Sequence, residues 1–140
     1  MADDQLRWQE HGRKELCRTP VLTVTEREST GPDGQQGRFI VNEAPDWVVV
    51  IPVVDDCFLM VKQWRHGEQA LSIEFPGGVI EKGEPPEAGA RRELKEETGA
   101  EAGTLTYLGS MNPNPALFSN HMHFFCARDL TLTGTQELDR

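Results

Sequence analysis

The stretch GVIEKGEPPEAGARRELKEETGA, Gly78 to Ala100, decides how this chain is read. Pro85 and Pro86 suit the opening of a helix, because the first turn leaves its N–H groups unbonded and proline lacks one. Gly99 suits its close, because helices commonly end on a left-handed residue and glycine adopts that conformation without strain. Together they predict a helix from about Pro86 to Thr98. At roughly 100° per residue, Glu96, Glu93 and Glu97 fall at about −60°, 0° and +40°, so three carboxylates share one arc. Ala90 and Leu94 sit beside that arc on one side, at about 60° and 100°, and Lys95 points nearly opposite. Like charges three or four residues apart oppose a helix by about 0.2–0.5 kcal/mol per pair, so the arc calls for a counter-charge. A hard divalent cation would supply it, since Mg²⁺ takes oxygen ligands and commonly uses one or two carboxylates together with substrate phosphates.

A charged run such as RRELKEET is ordinarily a solvated, salt-bridged helix face. The residues ahead of it favour a site instead. Gly77 and Gly78 follow Pro76 at the end of an expected strand, where missing side chains let backbone approach a ligand closely. Metal ions held there would withdraw charge from phosphoryl oxygens and lower the pKa of a bound water, so no nucleophilic side chain is needed. Cys17, Cys57 and Cys126 have no metal-ligand or redox spacing and read as ordinary thiols.

Gly78, Glu84, Arg92, Glu93, Glu96, Glu97 and Gly99 fit the pattern G-x5-E-x7-R-E-U-x-E-E-x-G-U, with Leu94 and Ala100 at apolar places U. Each fixed residue type fills roughly one position in ten to twenty, so seven matches at set spacings hardly arise by chance. The segment resembles the Nudix box, the signature of hydrolases that cleave a phosphoanhydride in a nucleoside diphosphate linked to another group. The resemblance implies that Glu93 and Glu97 are the main metal ligands, that Glu96 assists, and that Gly77 offers its carbonyl oxygen. It implies that Arg92 holds the loop by pairing with Glu84. The implied cofactor is Mg²⁺, with Mn²⁺ as the alternative. Ala100 departs from the family by being smaller than the usual aliphatic residue.

Outside the box, VKQWRHGEQALSIEFPGG, Val61 to Gly78, resembles the lead-in of ADP-ribose and ADP-sugar pyrophosphatases. By that likeness Arg65 contacts diphosphate or ribose, Glu74 sits at the metal and substrate edge, and Gly78 borders the substrate. Pro115, sixteen residues after Gly99, stands where that branch carries a proline. The branch often takes its catalytic base from a glutamate near the end of this domain, and Glu137 is the candidate. The resemblance implies a further strand and a C-terminal helix after this point, and these are expected to be missing here. Residues 18–42 resemble a hairpin that exchanges contacts across a homodimer, making Trp8 or Phe39 candidate base neighbours. Against this stand a Nudix hydrolase of nucleoside triphosphates or dinucleoside compounds, and a non-catalytic nucleotide sensor.

The rest of the chain agrees with one domain over residues 1–140. A net charge of −9 argues against a broad nucleic-acid or membrane surface, since such binding needs cations to neutralise phosphate. A small nucleotide-sugar substrate is compatible with it. No apolar signal core opens the chain, and a reducing cytoplasm suits three unpaired cysteines. Val21–Glu26 and Arg38–Asn42 flank the turn-rich GPDGQQG and predict a hairpin. Trp47–Val54 and Phe58–Trp64 predict a second pair around Asp55-Asp56. Further strands are expected at Leu71–Phe75, Leu105–Gly109 and His121–Ala127, with Leu130–Leu132 as an extension. His121 and His123 would share a face, without a third ligand to make a metal site. Strands around one helix, taken with the resemblance, imply an α/β (α+β) fold: a Nudix α/β/α sandwich with mixed β-sheets, preceded by an N-terminal β-hairpin.

Overall fold

The computed structural model describes residues 3–134 and 136. The chain divides into two compact units: Met1–Ala44 with Asn112–Asn120, and Pro45–Met111 with His121–Arg140. Glu137 lies outside the described residues. Among the described residues no helix is long and apolar enough to cross a membrane.

The first unit is a three-stranded antiparallel sheet of β1 (Gln9–Arg18), β2 (Thr23–Thr30) and β3 (Gln36–Glu43) in that order. The expected hairpin is β2–β3, longer at the turn end than its apolar residues suggested. β1 was not expected. Its sequence, QEHGRKELCR, is polar throughout and nearly every side chain is exposed, so no two-residue alternation marks it. Its ladder to β2 slips at Glu10/Gly12 and at Glu15/Cys17, and ion pairs run among Arg13, Glu10, Glu43 and Arg27. Asn112–Asn120 joins this unit through the Asn42 N–H, which donates to the Leu117 carbonyl at 2.7 Å, and the Ser119 N–H, which donates to Asn42.

The second unit is built on β4 (Trp47–Val54), whose unbroken apolar run WVVVIPVV suits a strand covered on both faces. It pairs in parallel with β10 (Met122–Leu132) and antiparallel with β5 (Cys57–Phe58) and β8 (Gly77–Val79). β9 (Ala100–Met111) completes the sheet along β10. The parallel β4–β10 pair makes the sheet mixed, as the resemblance implied. The helix α1 spans Pro86–Thr98, the range read from its prolines and glycine, and is the helical layer among the described residues. Val48, Val50, Ala90, Leu94, Ala100, Phe125 and Ala127 form the core. Ala100 is completely enclosed there.

The strands depart from the sequence reading in several places, and β9 extends well beyond the expected Leu105–Gly109. The pair around Asp55-Asp56 is only two residues deep; the chain then leaves β4, and β6 (Val61–Arg65) pairs with β7 (Ala70–Glu74) as a separate ribbon. Cross-strand polar bonds specify that ribbon, because Gln63, Arg65, Ser72 and Glu74 share one of its faces. β8 was read as loop, its two glycines carrying no strand propensity. β10 runs straight through Arg128-Asp129, where two segments were expected, with Asp129 at φ 53°.

Leu94 is fully buried between α1 and the sheet. Leu94→Ala is expected to lower unfolding free energy by about 3 kcal/mol, read by denaturant titration. A loss under about 1 kcal/mol would mean that the helix packs against the sheet through other residues.

Candidate active site

Helix α1 begins on Pro85, in extended conformation at φ −63° and ψ 144°, and ends on Gly99 at φ 70°, whose N–H donates to the Lys95 carbonyl at 2.8 Å. Ala90 and Leu94 anchor one side in the core, which turns Glu93 and Glu97 toward β8. The two glycines of β8 make this close approach feasible. A Cβ at Gly77 would drive into the Val48 carbonyl of β4, and one at Gly78 would lie 2.5 Å from the Glu93 carboxylate. The Gly77 N–H donates to Glu97 Oε2 at 3.0 Å. The strand is thus pressed between β4 and the acidic face of the helix, with room for hydrogen atoms only.

Arg92 organises the other carboxylates. Its guanidinium grips Glu84 with two bonds, Nε to Oε1 at 2.9 Å and Nη2 to Oε2 at 3.0 Å. Nη1 donates to Glu93 at 2.8 Å and to Glu96 at 3.1 Å, and Nη2 also reaches the Val79 carbonyl at 3.0 Å. Glu84 further accepts the Glu81 N–H at 2.9 Å. The loop between β8 and α1 is thereby closed on itself. The bonds from Arg92 hold the Glu84 carboxyl below the usual carboxylate range against the opposing effect of burial, with the Glu81 N–H assisting. The same pairing raises the pKa of Arg92, which stays charged throughout the ordinary pH range.

Glu97 is the exception in this network. Burial pushes its pKa up, and the negative charges of Glu93 and Glu74 add to the effect, while the Gly77 N–H and Arg65 oppose it. Arg65 forms a two-bond ion pair with Glu74, at 2.9 Å and 2.5 Å, on the β6–β7 ribbon. Gln63 leans on the same Glu74 at 3.4 Å.

Sequence reasoning named most of these groups, and the structure brings Glu84, Arg92, Glu93 and Glu96 into one cluster, Glu97 onto Gly77, and Arg65 onto Glu74. Pro115 belongs to the other unit, in a turn closed by bonds from Leu117 and Phe118 to the Asn114 carbonyl. The candidate base Glu137 lies outside the described residues. Sequence reasoning missed the Val79 carbonyl, because main-chain acceptors have no residue signature. It also missed Asp46, which accepts the His121 N–H at 2.9 Å and bonds the His123 ring at 3.0 Å; Tyr107 bonds the other ring nitrogen at 3.3 Å. A lone aspartate before an apolar strand gives no hint of histidines 75 and 77 residues away.

Among the described residues no three His, Cys, Asp or Glu side chains are gathered as a ready metal-ligand group. Arg92 draws Glu93 and Glu96 to itself. The donor set nevertheless fits a hard cation. Glu93 and Glu97 offer oxygen ligands one helical turn apart, and Glu97 carries charge that its surroundings disfavour.

The sequence model of the NUDIX domain matches residues 44–140. The chain is 37% identical to an ADP-ribose pyrophosphatase of Bacillus subtilis over 110 residues, covering 77% of this chain and 60% of that protein. It is 36% identical over 83 residues to the ADP compounds hydrolase NudE of Escherichia coli, covering 59% of this chain and 45% of that protein. A crystal structure of an ADP compounds hydrolase superposes with a TM-score of 0.83 at 27% identity, covering 94% of this chain and 72% of that one. The chain thus spans about half the length of the curated relatives it matches.

A carboxyl whose pKa is lowered by folding contributes stability that is present above its unfolded value of about 4.3 and lost as pH falls through the lower folded value. Glu84 is such a group. Glu84→Gln is expected to be less stable than the parent at neutral pH and to lose less on acidification. Unfolding midpoints from about pH 6 to about pH 3 test this; parallel curves for parent and variant would refute the pairing.

Proposed function

The chain belongs to the Nudix family, and from this we propose that it hydrolyses the pyrophosphate bond of ADP-ribose or a related nucleoside diphosphate sugar. The products are a nucleoside monophosphate and a sugar phosphate. The observation that carries the reading is the pair of carboxylates, Glu93 and Glu97, laid against a strand whose first two positions have room only for glycine. The names of the relatives, ADP-ribose pyrophosphatase and ADP compounds hydrolase, support the substrate class.

Nudix hydrolases generally need divalent metal ions, and here the ion is Mg²⁺, with Mn²⁺ able to replace it. Glu93 and Glu97 hold the metal, with Glu96 and the Gly77 carbonyl assisting. The bound metal supplies charge neutralisation at the phosphates and a water of lowered pKa. The protein's own part is positional and electrostatic. Arg92 fixes the loop through Glu84 and shares its charge with Glu93 and Glu96, so those carboxylates have a cationic neighbour until they take up metal. Arg65 carries the charge that meets diphosphate, held by Glu74. Gly78 and Pro115 border the substrate in this reading. Glu137 is the proposed general base.

The proposal extends to a single Nudix hydrolase domain acting as a homodimer in the cytoplasm, with the N-terminal hairpin at the dimer contact. The free thiols Cys17, Cys57 and Cys126 are in keeping with a reducing compartment.

Product analysis on ADP-ribose, ADP-glucose, GDP-mannose and nucleoside triphosphates, with Mg²⁺ and with chelator, tests the chemistry. AMP and ribose 5-phosphate should form fastest, and only with metal; pyrophosphate release from triphosphates instead would move the substrate class. Glu97→Gln gives a sharper outcome. A carboxyl whose pKa is raised by folding costs stability above its unfolded value, so the metal-free variant should unfold no earlier than the parent. Its turnover should fall at least as far as the roughly tenfold to hundredfold loss that follows removal of a ligand's outer partner. Full activity in this variant would remove Glu97 from the metal site.

A further inference from the structure

The last turn of α1 is tied down by the C-terminal segment of the chain, to which the mechanism above gives no role. A helix leaves its final carbonyls without partners of its own. Here the Thr133 N–H and hydroxyl both donate to the Gly99 carbonyl, each at 2.7 Å. The Gln136 side-chain amide donates to the Glu97 carbonyl. Within the turn, the Thr98 hydroxyl donates to Leu94 at 2.5 Å and accepts the Ala100 N–H at 3.2 Å.

Glu97 is therefore held at two points, its carboxylate by the Gly77 N–H and its main chain by Gln136. Glu97 and Gln136, together with Thr98 and Gln63, line a cavity of about 280 Å³ bounded by the Leu59–Val61 segment. The Gln136 bond is exposed to solvent, so its worth to global stability is small. Its leverage is local. It acts on a residue whose carboxylate is placed, among the described residues, by the Gly77 N–H. The other helix carboxylates differ, since Glu93 and Glu96 are already steered by Arg92.

We infer that Gln136 is a positioning residue for Glu97: its amide fixes the final turn of α1 and thereby sets where the Glu97 carboxylate stands on β8. This rests on the reading of Glu97 as a metal ligand. A ligand's outer hydrogen-bond partners govern its aim, and losing one typically weakens a metal site while leaving the fold intact.

The test is a Mn²⁺ titration of the full chain without substrate, followed by calorimetry and by electron paramagnetic resonance, on the parent and on Gln136→Met. Methionine keeps the length of the side chain and removes the donor. The dissociation constant is expected to rise about tenfold, the low end for loss of an outer partner, while the metal-free unfolding midpoint stays with the parent. Equal affinity in parent and variant overturns the inference and leaves the Nudix reading intact. A drop in the metal-free midpoint that accounts for the weaker binding also overturns it, by making Gln136 a stabilising residue only. A parent chain that binds no Mn²⁺ overturns both.

Discussion

One guanidinium holds the site together. Arg92 bonds Glu84 in a fork, reaches Glu93 and Glu96 along the helix, and ends on the Val79 carbonyl. A lysine could neutralise charge at this place but lacks the planar fork of donors that spans three carboxylates and a carbonyl. Removing the cation would leave several acidic groups in partial burial without a counter-charge, an outcome far costlier than the net gain from any single pair. The loop, the helix as far as Glu96 and the end of β8 therefore depend on the same planar group.

The second constraint is steric. β8 can lie between β4 and α1 because Gly77 and Gly78 carry no side chains, and β4 can receive it because it is apolar on both faces. Glu97 then rests on a backbone N–H in a place that disfavours its charge. A carboxylate that folding raises in pKa is a local loss of stability, and such conflicts collect where a protein needs reactive or ligand-ready groups. The charged pairs of the β1–β3 sheet present a contrast. They are largely solvent-exposed, and pairs of that kind contribute little, so the hydrogen-bonded ladder holds that sheet.

Much of the site was legible because its punctuation is local. Two prolines and a glycine bounded α1 at Pro86 and Thr98, and spacing alone put Glu93, Glu96 and Glu97 on one arc. β4 was legible as an unbroken apolar run, and the β2–β3 hairpin through its turn residues. β1 was not, since a strand with charges on both faces has no period to detect. β8 was hidden by the same glycines that make it fit. Phe58–Trp64 reads as one strand paired with β4, whereas the structure divides it into β5 on β4 and β6 on β7, because the polar partners that divert the chain, Arg65 and Glu74, lie nine residues apart.

The sequence by itself determined the family, the helix and its carboxylates, since these follow from residue types at fixed short separations. Only the tertiary structure decided that β4 and β10 run parallel, that Asp46 captures His123, that the Val79 carbonyl completes the Arg92 cluster, and that Gln136 reaches the end of α1. The reason is physical. A cap or a turn is specified by neighbours along the chain, whereas strand partners and main-chain acceptors are chosen by which distant segments bury their apolar faces together.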